Sequence, residues 1–170
     1  MANAAVADGV WHAAGVLSDA LLPRQAAPAL AHVYAPKSHG AWSLHNASAT
    51  SAVDAVALFS SVAALLGGAG QANYAAANTC LDALAASRHS HGVLAVSVQW
   101  GAWAEVGMAA RGAASERMAA AEKASGFARI GLAQGLRALG IAARHVPGAE
   151  RVRPRRQHLL AGGPAVPGGV

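Results

Sequence analysis

Residues 58–78, LFSSVAALLGGAGQANYAAAN, leave this chain few folds to choose from. The apolar run Val53–Ser60 is bounded by polar residues and is short enough to be a strand buried on both faces, as in parallel sheets. Gly67-Gly68-Ala69-Gly70 then turns the chain, and a helix from Gln71 to about Ser90 carries Tyr74 and Asn78 one turn apart on one face. In that helix Ala72, Ala75, Ala76, Leu81 and Leu84 are available for packing, and Cys80 reads as a small core residue. The glycine loop has neither the Lys-Ser/Thr ending of a P-loop nor a strand directly before it, so it reads as a turn rather than a phosphate cradle. Strand, turn and helix together bring the Ser61 hydroxyl, a phenol and an amide toward one point.

Those groups suit reduction of a ketone, in which hydride reaches the carbonyl carbon while an acid protonates the oxygen. Tyr74 is the candidate acid. An unperturbed tyrosine titrates near ~10, so a neighbouring cation is expected to bring its phenolate within reach at neutral pH. Lys37, in the upstream segment APKSHGAW, is the candidate cation. Ser61 is expected to hydrogen-bond the substrate oxygen, and Asn78 to hold a water or orient the lysine in a proton relay. Pro36 suits the first turn of a new helix, which puts Lys37 at a helix start, where the dipole disfavours a cation. An ordinary exposed lysine is the alternative.

The remaining segments repeat the alternation of strand and helix. Gly9–His12 reads as a short strand running into Ala13-Ala14-Gly15, small residues that let backbone approach a ligand at the carboxyl end of a parallel strand. Leu21 to about His45 reads as helix broken by Pro23, Pro28 and Pro36. Val93–Val98 is a second buried-type strand and ends in Gln99-Trp100-Gly101-Ala102-Trp103. Ser115–Ser125 and Gly126–Leu139 read as helices, and beyond Gly140 the composition turns to Pro, Gly, Ala and Arg. The expected division is therefore residues 1–140 as a partial α/β domain and 141–170 as linker or tail.

HAAGVLSDALL at His12–Leu22, APKSHGAW, the 58–78 stretch and VSVQWGAWAEVGMAA at Val96–Ala110 occur in this order. Together they resemble the C-terminal half of the ketoreductase domain of a type I modular polyketide synthase, a branch of the short-chain dehydrogenase/reductases. Most short-chain reductases read Tyr-x-x-x-Lys; Asn78 stands where they have lysine, and Lys37 lies upstream, the exchange that marks the synthase ketoreductases. The resemblance implies an α/β fold, an incomplete Rossmann-like doubly wound parallel sheet holding the later strands and helices. It implies Tyr74, Ser61, Lys37 and Asn78 as catalytic residues and NADPH as cofactor, with Ala13, Ala14, Gly15 and Gly101 lying along it. The substrate implied is a 3-ketoacyl thioester on the phosphopantetheine arm of an acyl carrier protein, and the partners are that carrier and the other synthase domains.

Leu17-Ser18-Asp19 resembles the Leu-Asp-Asp signature of the subtype that yields the D-configured alcohol. The other subtype has a tryptophan where this chain has Leu66, and Trp103 is the tryptophan connected with the pocket. Asp19 as a cap of the following helix is the structural alternative. The resemblance also makes Val106-Gly107-Met108 the approach to a substrate lid over 115–125. No Gly-x-Gly-x-x-Gly turn occurs in the sequence, so the strands that bind the pyrophosphate are expected outside it. Gly9–His12 then becomes a sheet edge, and the 170 residues alone are expected to fold marginally and bind NADPH poorly. A truncated, non-catalytic interaction module is the reading of another class. A free-standing short-chain alcohol dehydrogenase is disfavoured by Asn78.

Composition narrows the remaining possibilities. Hydrophobic residues make up 54% and charged residues 12%, which suits a buried core and not disorder. The net charge of +5 is concentrated at Arg151, Arg153, Arg155 and Arg156 in the tail, which reads as a solvated linker and not as a nucleic-acid arm. The single cysteine excludes an internal disulfide, and no apolar run reaches the ~18 residues of a membrane span, so a soluble cytoplasmic protein is expected. His89 and His91 stand at i, i+2 and not at the i, i+4 spacing of a helical zinc pair, so no metal site is expected.

Overall fold

The computed structural model describes residues 9–48, 53, 55–107, 123 and 128–144. Three parallel strands form the sheet in the order β1 (Gly9–His12), β2 (Ala55–Ser61), β3 (Ala95–Trp100). Gly9 pairs with Ala55, and Val56 in turn pairs with Ala95, so the strands are aligned almost level. β2 is buried along most of its length, as its apolar run requires, because it is the central strand. All three strands run the same way, so Ala13–Gly15, Val62 and Gly101 leave the sheet at one carboxyl edge. Among the described residues β1 and β3 are the edges, and Trp11 on β1 is 52% exposed.

The helices follow from where the prolines and glycines stand. Pro23 begins a 3₁₀ turn at Leu22–Arg24, and Pro28 sits in the first turn of α1 (Ala27–Tyr34), where a missing N–H costs nothing. Pro36 does not start a new helix as the sequence suggested. It lies inside continuous helix, where its absent N–H cannot bond the previous turn. The chain widens there into a π turn over Ala35–His39, with the Gly40 N–H donating to the Ala35 carbonyl, before α2 (Gly40–Ser48) continues. Lys37 is therefore in a helix interior and not at a helix start.

A short helix, α3 (Ala63–Leu66), precedes the glycine loop, an element not read from the sequence. Gly70 takes φ +76°, a conformation open to glycine, and its carbonyl accepts from the Ala20 N–H at 2.9 Å. α4 (Ala72–Ser90) then crosses the sheet with Asn73, Ala77, Asn78, Leu81, Leu84, Ala85 and Arg88 inward. Ala72 is exposed and so is Cys80, correcting their expected places in the core: the buried face of the helix is turned from both. The last helix, α5, covers Leu132–Arg144, starting later than expected and running beyond Gly140. The lid segment 115–125, Lys123 apart, and the arginine-rich tail lie outside the described residues.

The core gathers Ala41, Val56, Leu58, Leu81, Leu84, Ala85 and Ala95, with Val10 and Val53 against it. Arg88 is buried among these elements and ties α4 to α2: its guanidinium donates to His45 Nδ1 at 2.8 Å and Ser48 Oγ at 3.1 Å. Arginine always donates, so Nδ1 is the lone-pair nitrogen; burial, then the charge of Arg88, lowers the His45 pKa. No helix among the described residues is long and apolar enough to cross a membrane. Leu81 is fully buried. Leu81→Ala is expected to lower the unfolding free energy by about 2–5 kcal/mol, read by urea titration.

Candidate active site

The carboxyl edge of the sheet receives side chains from three directions. From β1, His12 is buried and its Nε2 lies 2.9 Å from the Lys37 carbonyl, so the strand holds the π turn by its backbone. That turn sends the Lys37 side chain inward, leaving it 3% exposed. Its Nζ donates to the Phe59 carbonyl of β2 at 3.0 Å and lies 5.2 Å from the centroid of the Tyr74 ring. Gly15 closes the other side: a Cβ there would stand 2.9 Å from Lys37 Cε. The need for glycine at 15 is thus imposed by a lysine that the sequence places 22 residues away.

Burial is the main influence on both titrating groups. It lowers Lys37 to about 8, against an upward pull from the Asp82 carboxylate. It raises the Tyr74 phenol; hydrogen bonding by Asn78 and then by Ser61 opposes the rise, and the Asp19 charge adds to it. The expectation that Lys37 brings the phenol down is therefore not met in this arrangement: the ammonium lies over the ring face and is engaged by Phe59. Tyr74 holds its proton at neutral pH.

Asn78 is fully buried, its Nδ2 donating to the Tyr74 carbonyl at 2.8 Å, and its Oδ1 has no hydrogen-bond partner among the described residues. A buried acceptor of that kind suits a water or ligand proton. Ser61 Oγ accepts from the Ala63 N–H at 3.2 Å, which leaves its own hydrogen for another acceptor. The neighbouring Ser60 instead donates to the Asn78 carbonyl at 3.3 Å and is buried, so of the serine pair Ser61 is the one that interacts with Tyr74.

The other sequence candidates fall around this centre. Ala13 and Ala14 are exposed just past β1. Gly101 follows β3, and a Cβ there would meet Ile130 Cδ1 at 3.4 Å, an ordinary contact. Asp19 accepts from Gln71 Nε2 at 3.4 Å and caps no helix. Leu66 ends α3 and is 65% exposed. Trp103 packs on Gly135 of α5 and on Trp100, ring centroids 4.9 Å apart, so its described contacts are with the scaffold. Two residues at the site carried no sequence signal beyond their neighbours: His12, which fixes Lys37 by its backbone, and Asn73, whose amide joins the loop after β1 to Tyr74. No cluster able to hold a metal occurs among the described residues.

Comparison with known proteins gives a consistent result. Residues 2–105 match the family model of the KR domain. The phthioceranic/hydroxyphthioceranic acid synthase of Mycobacterium tuberculosis strain H37Rv is 42% identical over 137 residues, which are 81% of this chain and 6% of the synthase. Polyketide synthase GfsB of Streptomyces halstedii is 52% identical over 109 residues, 64% of this chain and 2% of that protein. A solved structure described as that of A-type ketoreductases from a modular polyketide synthase superposes with a TM-score of 0.73 at 38% identity, covering 80% of this chain and 28% of the other. The chain thus spans a small part of each relative it matches.

The lowered Lys37 pKa has a consequence for stability. The unfolded chain keeps this proton up to 10.5 and the folded protein releases it from about 8, so between these values the unfolded state binds more protons and stability rises with pH. Relative to Lys37→Met, the natural protein is expected to gain roughly 3 kcal/mol of unfolding free energy between about pH 7 and about pH 11. Urea titrations across that range measure the difference, and a flat one would place the ammonium in solvent.

Proposed function

The chain belongs to the KR, or ketoreductase, domain family, and from that premise we propose that it carries the catalytic residues of an NADPH-dependent reductase acting on carrier-bound 3-ketoacyl thioesters in polyketide synthesis. The observation that supports this reading is the meeting of Lys37, Ser61, Tyr74 and Asn78 at one carboxyl sheet edge, where the Lys37 ammonium lies 5.2 Å from the centroid of the Tyr74 ring and Asn78 donates to the Tyr74 carbonyl at 2.8 Å. The residues present fit the nicotinamide end of the cofactor. Ala13 and Ala14 are small and exposed at the end of β1, and Gly15 after them admits the lysine stem.

NADPH, when bound, supplies hydride to the carbonyl carbon. Tyr74 gives its proton to the ketone oxygen as the carbon–oxygen double bond becomes an alcohol, and its raised pKa keeps that proton in place beforehand. Ser61 donates to the same oxygen, where negative charge develops. Asn78 Oδ1, buried and without a partner among the described residues, holds the water that returns a proton to Tyr74, and Lys37, neutralised more easily than a surface lysine, passes protons to that water. Asp19 and Leu66 favour the D-configured alcohol, an assignment resting on these two residues and independent of the A-type relative. Partners on this reading are an acyl carrier protein and neighbouring synthase domains.

The intact polypeptide carrying these residues, isolated from source cells, is expected to consume NADPH with a 3-ketoacyl thioester and to release the D-3-hydroxyacyl product. Tyr74→Phe is expected to lower kcat by about 10²–10⁴, the worth of a positioned general acid. NADPH absorbance and chiral chromatography read both results. No reduction by the intact polypeptide would favour a non-catalytic interaction module, and the L-alcohol would overturn the subtype.

A further inference from the structure

Lys37 is held at both ends by neighbouring strands. Its ammonium donates to the Phe59 carbonyl of β2 at 3.0 Å, and its main-chain carbonyl lies 2.9 Å from His12 Nε2 at the end of β1. A carbonyl only accepts, so Nε2 carries the hydrogen and donates it. His12 stands opposite Leu58 in the sheet, which makes Phe59 the next residue beyond that pair on β2. The two ties on Lys37 therefore start from adjoining points of one sheet edge.

The π turn gives the first tie its importance. Pro36 supplies no N–H, and the Gly40 N–H is shared between the Ala35 and Lys37 carbonyls, so the turn draws less support from its own helix than regular helix would. His12 adds a donor from outside. Its ring is buried and lies against Gly40, which shelters the bond from competition by water. Among the described residues the titratable groups that act on or touch Lys37 are His12 on β1 and Tyr74 and Asp82 on α4, while β2 presents it with a neutral carbonyl.

We propose that His12 is a positioning residue of the reaction, resting on the reductase reading above: its Nε2–H fixes the π turn by the Lys37 carbonyl and so keeps the ammonium over the Tyr74 ring, on the route that returns a proton to the phenol. Without this bond the turn relaxes toward solvent and draws the lysine stem away from Gly15. Lys37 then titrates as a surface lysine does, near 10.5 instead of about 8. Glutamine and methionine at 12 have side chains of equal length; glutamine keeps an N–H near the place of Nε2, and methionine has none. Asparagine keeps an amide and is too short to bring it to the Lys37 carbonyl.

The test compares the intact polypeptide with its His12→Met, His12→Asn and His12→Gln variants, given a 3-ketoacyl thioester and NADPH over the pH range in which Lys37 titrates. In the natural polypeptide kcat is expected to fall as pH rises through about 8, where Lys37 loses its proton. His12→Met and His12→Asn are expected to lower kcat at neutral pH about tenfold, the worth of one buried hydrogen bond, and to move the fall upward toward 10.5. His12→Gln restores the natural profile. Purely structural damage lowers the rate without moving that profile. Urea titration reads the same bond without turnover: the gain in stability with pH over Lys37→Met is expected to be lost when both proteins also carry His12→Met, and kept when both carry His12→Gln. If the natural polypeptide reduces the thioester and either active His12→Met or His12→Asn keeps its pH profile, or His12→Gln loses it, the role of His12 is overturned alone. If the natural polypeptide reduces no ketoacyl thioester, the reductase reading and the role of His12 are overturned together.

Discussion

Burial of the Lys37 ammonium is the constraint on which the site depends. Taking a cation out of water costs several kcal/mol unless dipoles replace the lost hydration. Here the Phe59 carbonyl and the face of the Tyr74 ring replace part of it, and the lowered pKa records the part that is not replaced. Three separate features exist around this arrangement. Pro36 opens the π turn that aims the side chain inward, His12 holds the turn by the Lys37 carbonyl, and Gly15 leaves room for the stem. His12 also lies against Gly40, where a Cβ would stand 3.1 Å from its Cε1, so the glycine ending the π turn belongs to the same packing.

The second feature is polar burial in α4. A helix whose inward face carries Asn73, Asn78 and Arg88 gains less from the hydrophobic effect than one lined with leucine. Each of these groups makes bonds that reach beyond its own helix or to the backbone of Tyr74. Arg88 fastens α2, Asn78 holds the Tyr74 carbonyl, and Asn73 holds the loop after β1. Apolar packing by Leu81, Leu84 and Ala85 fixes the helix on the sheet, and the asparagines fix what surrounds the phenol.

The strands and the long helix were legible because their signals are local. The apolar run of β2, the proline and glycine punctuation and the length of α4 correspond to elements found within a few residues of their expected bounds. The π turn was not legible, because Pro36 at a helix start and Pro36 inside a widened turn satisfy the same local rule, and only packing against His12 and Phe59 separates them. Cys80 was misplaced for a related reason. An alanine-rich helix has a weak periodic pattern, so the rotation that buries Ala77 and Leu81 and exposes Cys80 is set by the sheet.

The sequence by itself determined the parallel α/β architecture, the turn between β2 and α4, and the spacing of Tyr74 from Asn78, since strand burial, glycine conformations and helical pitch act over a few residues. Tertiary structure alone decided that Lys37 meets the ring face of Tyr74, that Gly15 must stay small, and that Asn73 joins two distant segments. Those outcomes depend on desolvation and steric contact between residues far apart in the chain, which no local pattern encodes.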